Sequence, residues 1–190
     1  RARLIARGID VSRVAVFPCT TVEEFRDNTL RILTAHLEQA EKERPRLMFV
    51  LDSLGMLSTN KEIAEAIASS GTKDMTRAQL IKSAFRVLTL KLGYANIPLI
   101  VTNHVYANVG GNSPLPESGG GGGFKYAVST EITLTKAKYK PKEGEDPHGI
   151  IVTATAKKSR LTVEGTKARV LIRYAGGLDK HYGLLPVAEA

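Results

Sequence analysis

The chain has 190 residues, of which 43% are hydrophobic and 24% are charged, and its formal net charge is +8. This length and balance are typical of one soluble globular domain and exclude a disordered chain. No apolar run approaches the roughly 18–20 residues that cross a bilayer, and the positive charge suits a polyanionic partner without establishing one.

Two features near the start of the chain bear on its origin. Cys19 is the single cysteine, so it cannot form an internal disulfide, and a reducing compartment such as the cytoplasm is predicted. The chain opens on Arg1 inside a helical pattern, and Gly8 lies where a glycine would cap the end of that helix. This opening predicts a fragment of a longer protein, without a cleavable signal.

The first half alternates helices and apolar strands. The run "VAVF" (14–17) predicts a short buried strand. Either Thr20 with Glu23 or Thr21 with Glu24 predicts a capping box at the start of an amphipathic helix. The run "RLMFVLDS" (46–53) predicts a second strand, and "IPLIVTNH" (97–104) predicts a third. A polar loop and a helix from about 76 to 94 lie between them, which predicts a parallel sheet with right-handed crossovers. The inner positions of that helix are predicted to be Leu80, Ala84, Val87, Leu88 and Leu92.

The second half changes to strands alone. After a glycine-rich segment (105–123), the runs "TEITLTKAKY", "GIIVTATAKKS" and "KARVLIRYAGG" predict consecutive antiparallel strands over about 129–175. We expect these strands to extend the parallel sheet. The predicted fold class is therefore α/β, with a mainly parallel sheet flanked by helices and a C-terminal antiparallel part.

Polar residues follow two of the predicted parallel strands directly. Ligands of open parallel sheets bind beyond the carboxyl ends of the strands, where Asp52-Ser53 and Thr102-Asn103-His104 lie. An aspartate after an apolar strand suits a Walker B element that orients Mg²⁺ on a nucleotide, although such a residue is often only a turn or cap. The role of His104 is similarly undecided from the sequence. It suits a general base, a metal ligand, a phosphate contact or an ordinary strand-end residue.

Cations form two further groups. Lys158 and Arg160 lie on one side of the end of a predicted strand, where they suit either a solvated hairpin or a cationic prong that stabilises charge in phosphoryl transfer. The other group is spaced along the second helix and consists of Arg77, Lys82 and Arg86. These residues suit either a solvated helix face or a face that contacts DNA phosphates.

Four ordered segments resemble the RecA family of recombinases, and most of all its phage UvsX-type branch. They are "LMFVLDSLGML", "KDMTRAQLIKSAFRVLTLKLGYANIPLIVTNHVY", "GGGGGFKYAVSTEITLTK" and "AKKSRLTVEGTKARVLIRYAGGLDKHYGLL". The histidine after the asparagine of "TNH" is typical of the UvsX-type branch. The resemblance runs from about residue 3 to residue 185.

The resemblance implies a nucleotide site shared between subunits. Asp52 matches the Walker B aspartate that holds Mg²⁺, with Ser53 and Asn103 beside the nucleotide. His104 matches the sensor of the γ-phosphate. Lys158 and Arg160 match the pair that reaches a neighbouring subunit's ATP.

The resemblance also implies DNA-binding loops. The first spans about 56–76 with Arg77 at its exit, and the second spans about 105–124. We expect DNA contacts from these segments and from the second helix, at Arg77, Lys82, Arg86, Gly119, Gly120, Gly121, Gly122, Gly123 and Lys125.

The implied function is ATP-dependent homologous recombination. Such a protein polymerises as a helical filament on single-stranded DNA, uses ATP and Mg²⁺, and exchanges strands with double-stranded DNA. Mediator and single-strand-binding proteins are further implied partners, and the cytoplasm of a phage-infected or lysogenic bacterial cell is the implied location.

The chain departs from the family pattern in one respect. It has no G-x-x-x-x-G-K-[ST], because its glycine run leads into Phe124-Lys125-Tyr126 and no predicted strand immediately precedes it. The resemblance places that phosphate-binding loop and the catalytic glutamate before residue 1. We therefore expect the C-terminal two-thirds of an ATPase core, inactive alone. A replicative helicase core and a non-catalytic, truncated DNA-binding module are the alternative interpretations.

Overall fold

The computed structural model describes residues 2–6, 8–68, 76–106, 117–118 and 122–184. They belong to two compact units, Arg1–Ala127 and Val128–Ala190. The first unit contains a parallel strand pair with helices, and the second contains an antiparallel sheet. The predicted α/β class is confirmed.

The first unit contains five α-helices in its described residues. They are α1 (Ala2–Ile5), α2 (Val22–Glu38), α3 (Asn60–Ile67), α4 (Thr76–Ala95) and α5 (Gly122–Ala127). Gly8 has a φ of 73° after α1, and the next amide donates to the carbonyl of Leu4, which confirms the predicted glycine cap. No helix in the described part of the chain combines the length and apolar character that a bilayer crossing requires.

Helices α2 and α3 both begin with a capping box. The Glu24 amide donates to Thr21 Oγ1 at 3.1 Å, and the Glu24 carboxylate accepts the Thr21 amide, so the second of the two predicted boxes is the one that forms. Hydrogen bonds from the amide and hydroxyl of Thr20 are the main reason that the pKa of Glu24 lies below its ordinary value. Thr59 and Glu62 form the second box. Helix α3 therefore occupies part of the segment that we predicted to be a polar loop.

Replacing Thr59 by Ala is expected to lower the free energy of unfolding by about 1–2 kcal/mol. Thr59 is 1% exposed and accepts the Glu62 amide at 3.0 Å, so the alanine would leave that donor without its acceptor. Thr59→Ser keeps the oxygen and is the matched control. Urea unfolding followed by circular dichroism measures both variants, and equal stability of the two would contradict this role.

The core of the first unit lies between α2 and α4. The rings of Phe25 and Phe85 are 6.2 Å apart at their centroids, and Leu33 and Leu88 are fully buried. Val87, which we predicted to face inward, is instead 39% exposed. The buried residues of α4 follow a regular helical spacing that excludes position 87; they are Ile81, Ala84, Phe85, Leu88 and Leu92.

Two short parallel strands place the polar residues of interest. Strand β1 (Phe49–Leu51) pairs with β2 (Leu99–Val101), so that Leu51 lies opposite Val101. Beyond them, β3 (Val105–Tyr106) pairs antiparallel with β4 (Glu117–Ser118). The polar residues that follow β1 and β2 therefore leave the sheet side by side.

The predicted strand at 14–17 is not formed. Val16 and Phe17 are 62% and 57% exposed, and the segment lies outside the described sheets. Its continuation is tied elsewhere, because the Ser58 amide donates to the Thr20 carbonyl and the Val22 amide donates to the Ser58 carbonyl, both at 3.0 Å. A strand requires a neighbouring strand for its backbone groups, and this segment has none in the described residues.

The second unit is a four-stranded antiparallel sheet in the order β5-β6-β7-β8. Strands β5 (Thr130–Tyr139) and β6 (Gly149–Ser159) lie where the sequence predicted them. Strand β7 (Lys167–Arg173) begins at the predicted residue but ends earlier than predicted, because residues 174–176 turn the chain into the unpredicted strand β8 (Gly177–Leu178). In the described residues the four strands hydrogen-bond with one another, whereas we expected them to continue the parallel sheet.

An ion pair fixes the end of this sheet. Arg173 Nη2 donates to Asp179 Oδ2 at 2.9 Å, and the guanidinium lies 5.7 Å from the centre of the Tyr139 ring. The amide of His181 and the guanidinium of Arg173 both donate to Asp179, which lowers the pKa of that carboxyl. The Asp179 amide donates to the carbonyl of Leu171, the fully buried residue of β7.

Candidate functional site

Asp52 and Thr102 lie side by side where β1 and β2 end. The main-chain ladder continues past the strands, since the Thr102 amide donates to the Leu51 carbonyl at 2.9 Å and the Leu54 amide donates to the Thr102 carbonyl at 3.0 Å. The Thr102 hydroxyl then donates to Asp52 Oδ1 at 2.5 Å. Asp52 itself is exposed. The carboxylate is thus held by a neighbouring hydroxyl while remaining open to a ligand.

Asn103 and His104 continue from Thr102 along the same edge. The Asn103 side chain accepts the His104 amide at 3.0 Å, and the His104 side chain is exposed. Gly55 lies against both: a Cβ atom there would be 3.1 Å from His104 Cδ2 and 3.2 Å from Asn103 Oδ1. Ser53 is half-buried, and its peptide bond to Asp52 is cis. The edge therefore brings together all four residues predicted to lie at the nucleotide, Asp52, Ser53, Asn103 and His104.

The donors at this edge suit Mg²⁺ held jointly with phosphate oxygens. In the described residues there is no group of three or more His, Cys, Asp or Glu side chains that could hold a metal. Mg²⁺ bound to a nucleotide does not need such a group, because one or two carboxylates and the phosphates are its usual ligands. Asp52, with one oxygen occupied by the Thr102 hydroxyl, fits that role.

Helix α4 carries two of the predicted DNA contacts on one face. Lys82 and Arg86 are exposed, and together with Gln79 and Ser83 they line an open cavity of about 260 Å³. Helix α5 packs against α4 and contains Lys125, whose side chain is exposed. Two cations one helical turn apart beside a cavity are suited to bind phosphate groups.

Arg77 does not belong to that face. It lies five residues before Lys82, about 140° around the helix, and its guanidinium donates to main-chain carbonyls of the Leu54–Leu57 segment. The structure therefore separates Arg77 from the other two cations that the sequence grouped with it.

The predicted DNA-binding loops are described in part. Within the first (about 56–76), helix α3 is described and residues 69–75 lie outside the described residues. Within the second (about 105–124), the β3–β4 pair is described, and Gly122 and Gly123 begin α5. Gly119, Gly120 and Gly121 lie outside the described residues, so their predicted DNA contacts stay predictions.

Lys158 and Arg160 lie at the end of β6 beside an irregularity in the sheet. Glu131 pairs with Lys158 whereas Ile132 pairs with Ala156, so Lys157 is an extra residue that forms a bulge. Bulges redirect the side chains that follow them and are frequent next to functional sites. Arg160 is exposed, and its amide donates to the Ser129 carbonyl at 3.0 Å.

The turn after these cations is ordered by side-chain hydrogen bonds. Ser159 Oγ accepts the amides of Leu161 and Thr162 at 3.1 and 2.9 Å, and Glu164 accepts the Ser159 amide at 3.3 Å. Such bonds hold a turn in one conformation. The backbone that carries Arg160 is therefore constrained on both sides.

Sequence reasoning missed two residues of the site. Thr102 was recognised only as one of three polar residues after a strand, and its bond to Asp52 depends on the pairing of β1 with β2. Gly55 has no motif of its own. Its importance comes from the close approach of the His104 ring, which a sequence does not show.

Known proteins resemble the chain along almost all of its length. It is 34% identical over 187 residues, 98% of the chain, to the "Recombination and repair protein" of Enterobacteria phage T4. It is 28% identical over 144 residues, 75% of the chain, to RecA of Thermus thermophilus. No protein-family model matches the chain.

A solved structure resembles the chain as well. The crystal structure of the RadB recombinase superposes with a TM-score of 0.56 and 20% identity, over 92% of this chain and 69% of that one. The fold is that of the RecA-like recombinases. Together with homology to the phage T4 protein, this supports the RecA-family resemblance seen in the sequence.

The chain spans only part of its relatives. It covers 46% of the phage T4 protein and 42% of the Thermus RecA.

Proposed function

We propose that this chain is the part of a RecA-type recombinase that carries the Walker B aspartate and the DNA-binding loops. One observation carries the proposal: Asp52 accepts a hydrogen bond from the Thr102 hydroxyl and lies at the same sheet edge as His104. A rigid carboxylate beside a polar strand end is what the binding of a Mg²⁺-nucleotide requires.

The roles proposed at this site are those that the resemblance to the RecA family implies. Asp52 holds Mg²⁺, which supplies charge neutralisation on the phosphates of bound ATP. Ser53 and Asn103 orient the nucleotide. His104 contacts the terminal phosphate and senses whether it is present, and Gly55 keeps the ring of His104 close to the backbone.

DNA is proposed to bind through α4, α5 and the glycine-rich segment. Lys82, Arg86 and Lys125 supply positive charge for phosphates, and glycine backbone at 119–123 allows close approach to a single strand. The net charge of +8 is consistent with this partner.

Assembly into a helical filament is proposed because the resemblance to the RecA family implies a nucleotide site shared between subunits. Lys158 and Arg160 lie at the end of β6 beside the bulge, and we propose that they contact the ATP of a neighbouring subunit. Double-stranded DNA is the second substrate, mediator and single-strand-binding proteins are partners, and the bacterial cytoplasm during phage infection or lysogeny is the location.

The test is ATP hydrolysis by the full-length protein, with Mg²⁺, in the presence and absence of single-stranded DNA. We expect turnover that rises at least tenfold when DNA is added and that requires Mg²⁺. A rate of ATP hydrolysis that is the same with and without DNA would contradict the proposal. DNA binding without hydrolysis would favour a non-catalytic binding module instead.

A further inference from the structure

The guanidinium of Arg77 is directed into the protein. Its Nη2 donates to the carbonyl of Leu57 at 3.0 Å and to the carbonyl of Leu54 at 3.2 Å, and its Nε donates to Leu57 at 3.2 Å. The carbonyl of Gly55 lies 3.5 Å from Nη2. One side chain at the start of α4 therefore joins three carbonyls of a short 3-10 turn.

The shape of the guanidinium suits this task. Its donors form a planar fork that can reach acceptors several residues apart, whereas a lysine ammonium is a compact charge at the end of a flexible stem. Leu54 and Leu57 are 1% and 6% exposed, so the turn is anchored by burial on one side and by Arg77 on the other. Both anchors fix the path of the backbone.

The same turn contacts the proposed nucleotide site at two points. Its first amide, that of Leu54, donates to the Thr102 carbonyl at 3.0 Å, and Thr102 holds Asp52. Its middle residue, Gly55, lies against the His104 ring. A shift of the turn would therefore move the surface on which His104 rests.

We propose that Arg77 is a positioning residue for the nucleotide site, which fixes the Leu54–Leu57 turn and through it the placement of His104 beside Asp52. This inference rests on the proposed function. It assigns to Arg77 a role other than contact with DNA phosphates, in keeping with its engaged donors and its separation from Lys82 and Arg86.

The test compares Arg77→Lys and Arg77→Gln in the full-length protein. Both variants lose the fork, so we expect both to lower kcat for DNA-dependent ATP hydrolysis by about ten- to a hundredfold, with little change in KM for ATP. A phosphate contact would behave differently, because lysine would preserve the charge and rescue the activity.

Single-stranded DNA binding across a salt series gives the second readout. Arg77→Gln is expected to leave the slope of log affinity against log salt unchanged. Arg86→Gln, the matched control on the exposed face of α4, is expected to reduce that slope by about one unit. Wild-type kcat in Arg77→Lys, or a slope reduced as in Arg86→Gln, would overturn the inference.

Gly55→Ala tests the contact between the Leu54–Leu57 turn and His104 directly. It is the deciding variant if the Arg77 variants do not fold. Gly55 has a backbone conformation that alanine can adopt, but the new methyl group would press on His104 and Asn103. We expect a similar fall in kcat, and a folded Gly55→Ala protein with wild-type kcat would refute the role of the turn. A wild-type protein without DNA-dependent hydrolysis would instead refute the proposed function itself.

Discussion

Replacing Asp52 by Asn is expected to lower Mg²⁺-dependent ATP turnover by the full-length protein about a thousandfold. The amide keeps the size of the side chain and an oxygen, but it removes the negative charge that Mg²⁺ requires. The Thr102 hydroxyl is 2.5 Å from Asp52 Oδ1, and it would still have an oxygen as its acceptor. The fall in ATP turnover would therefore come from weaker Mg²⁺ binding and not from a change in the local structure.

Steady-state hydrolysis at saturating ATP measures this effect. Asp146→Asn makes the same chemical change at an exposed turn of the second unit and is the matched control. Unfolding curves for both variants show whether the fold is kept. Undiminished turnover in a folded Asp52→Asn protein would exclude Asp52 as the Walker B residue.

The double replacement of Lys158 and Arg160 by Ala is expected to remove DNA-stimulated hydrolysis, with a loss of about a thousandfold. Cations that act on a neighbouring subunit's ATP are needed only when subunits assemble. Binding of ATP to a single subunit should therefore persist, and only the stimulated rate should fall.

The control for this experiment removes two cations from the other end of the same sheet. Lys140 and Lys142 are exposed in the turn between β5 and β6, and their replacement by Ala changes the net charge equally. ATP binding is measured by fluorescence of a labelled nucleotide, and stimulation is measured by hydrolysis with and without single-stranded DNA. If the Lys158/Arg160 variant were stimulated fully, these residues would not act between subunits.

Local signals in the sequence predicted the regular elements well. Strand β5 and strand β6 occupy the residues predicted for them, because segments rich in β-branched residues end at clear turn signals. The start of α2 was predicted to within one residue, since a capping box depends on residues only three apart; of the two predicted boxes, Thr21 with Glu24 is the one that forms.

Features that depend on distant partners were less predictable. The apolar run at 14–17 has the composition of a strand. The backbone that follows it instead hydrogen-bonds to a distant residue, because the Ser58 amide donates to the Thr20 carbonyl. Val87 fits a loose helical pattern, yet the face of α4 that packs on α2 excludes it. In both cases tertiary contacts decide among options that the local sequence leaves open.

The candidate site shows the same division. Sequence placed Asp52 and His104 at strand ends, and the parallel register of β1 and β2 then brought them to one edge. The direction of the Arg77 side chain could not be predicted, because a basic residue at the start of a helix is equally suited to solvent, to DNA or to carbonyls of another segment. Only the folded backbone distinguishes these.

Formation of joint DNA molecules tests the central proposal most directly. The full-length protein is mixed with circular single-stranded DNA and linear double-stranded DNA, with ATP and Mg²⁺, and the products are separated by gel electrophoresis. We expect joint molecules when the two DNAs are homologous and none when they are not. Strand separation without regard to homology, or the absence of joint molecules from a protein that hydrolyses ATP on DNA, would contradict its assignment as a recombinase.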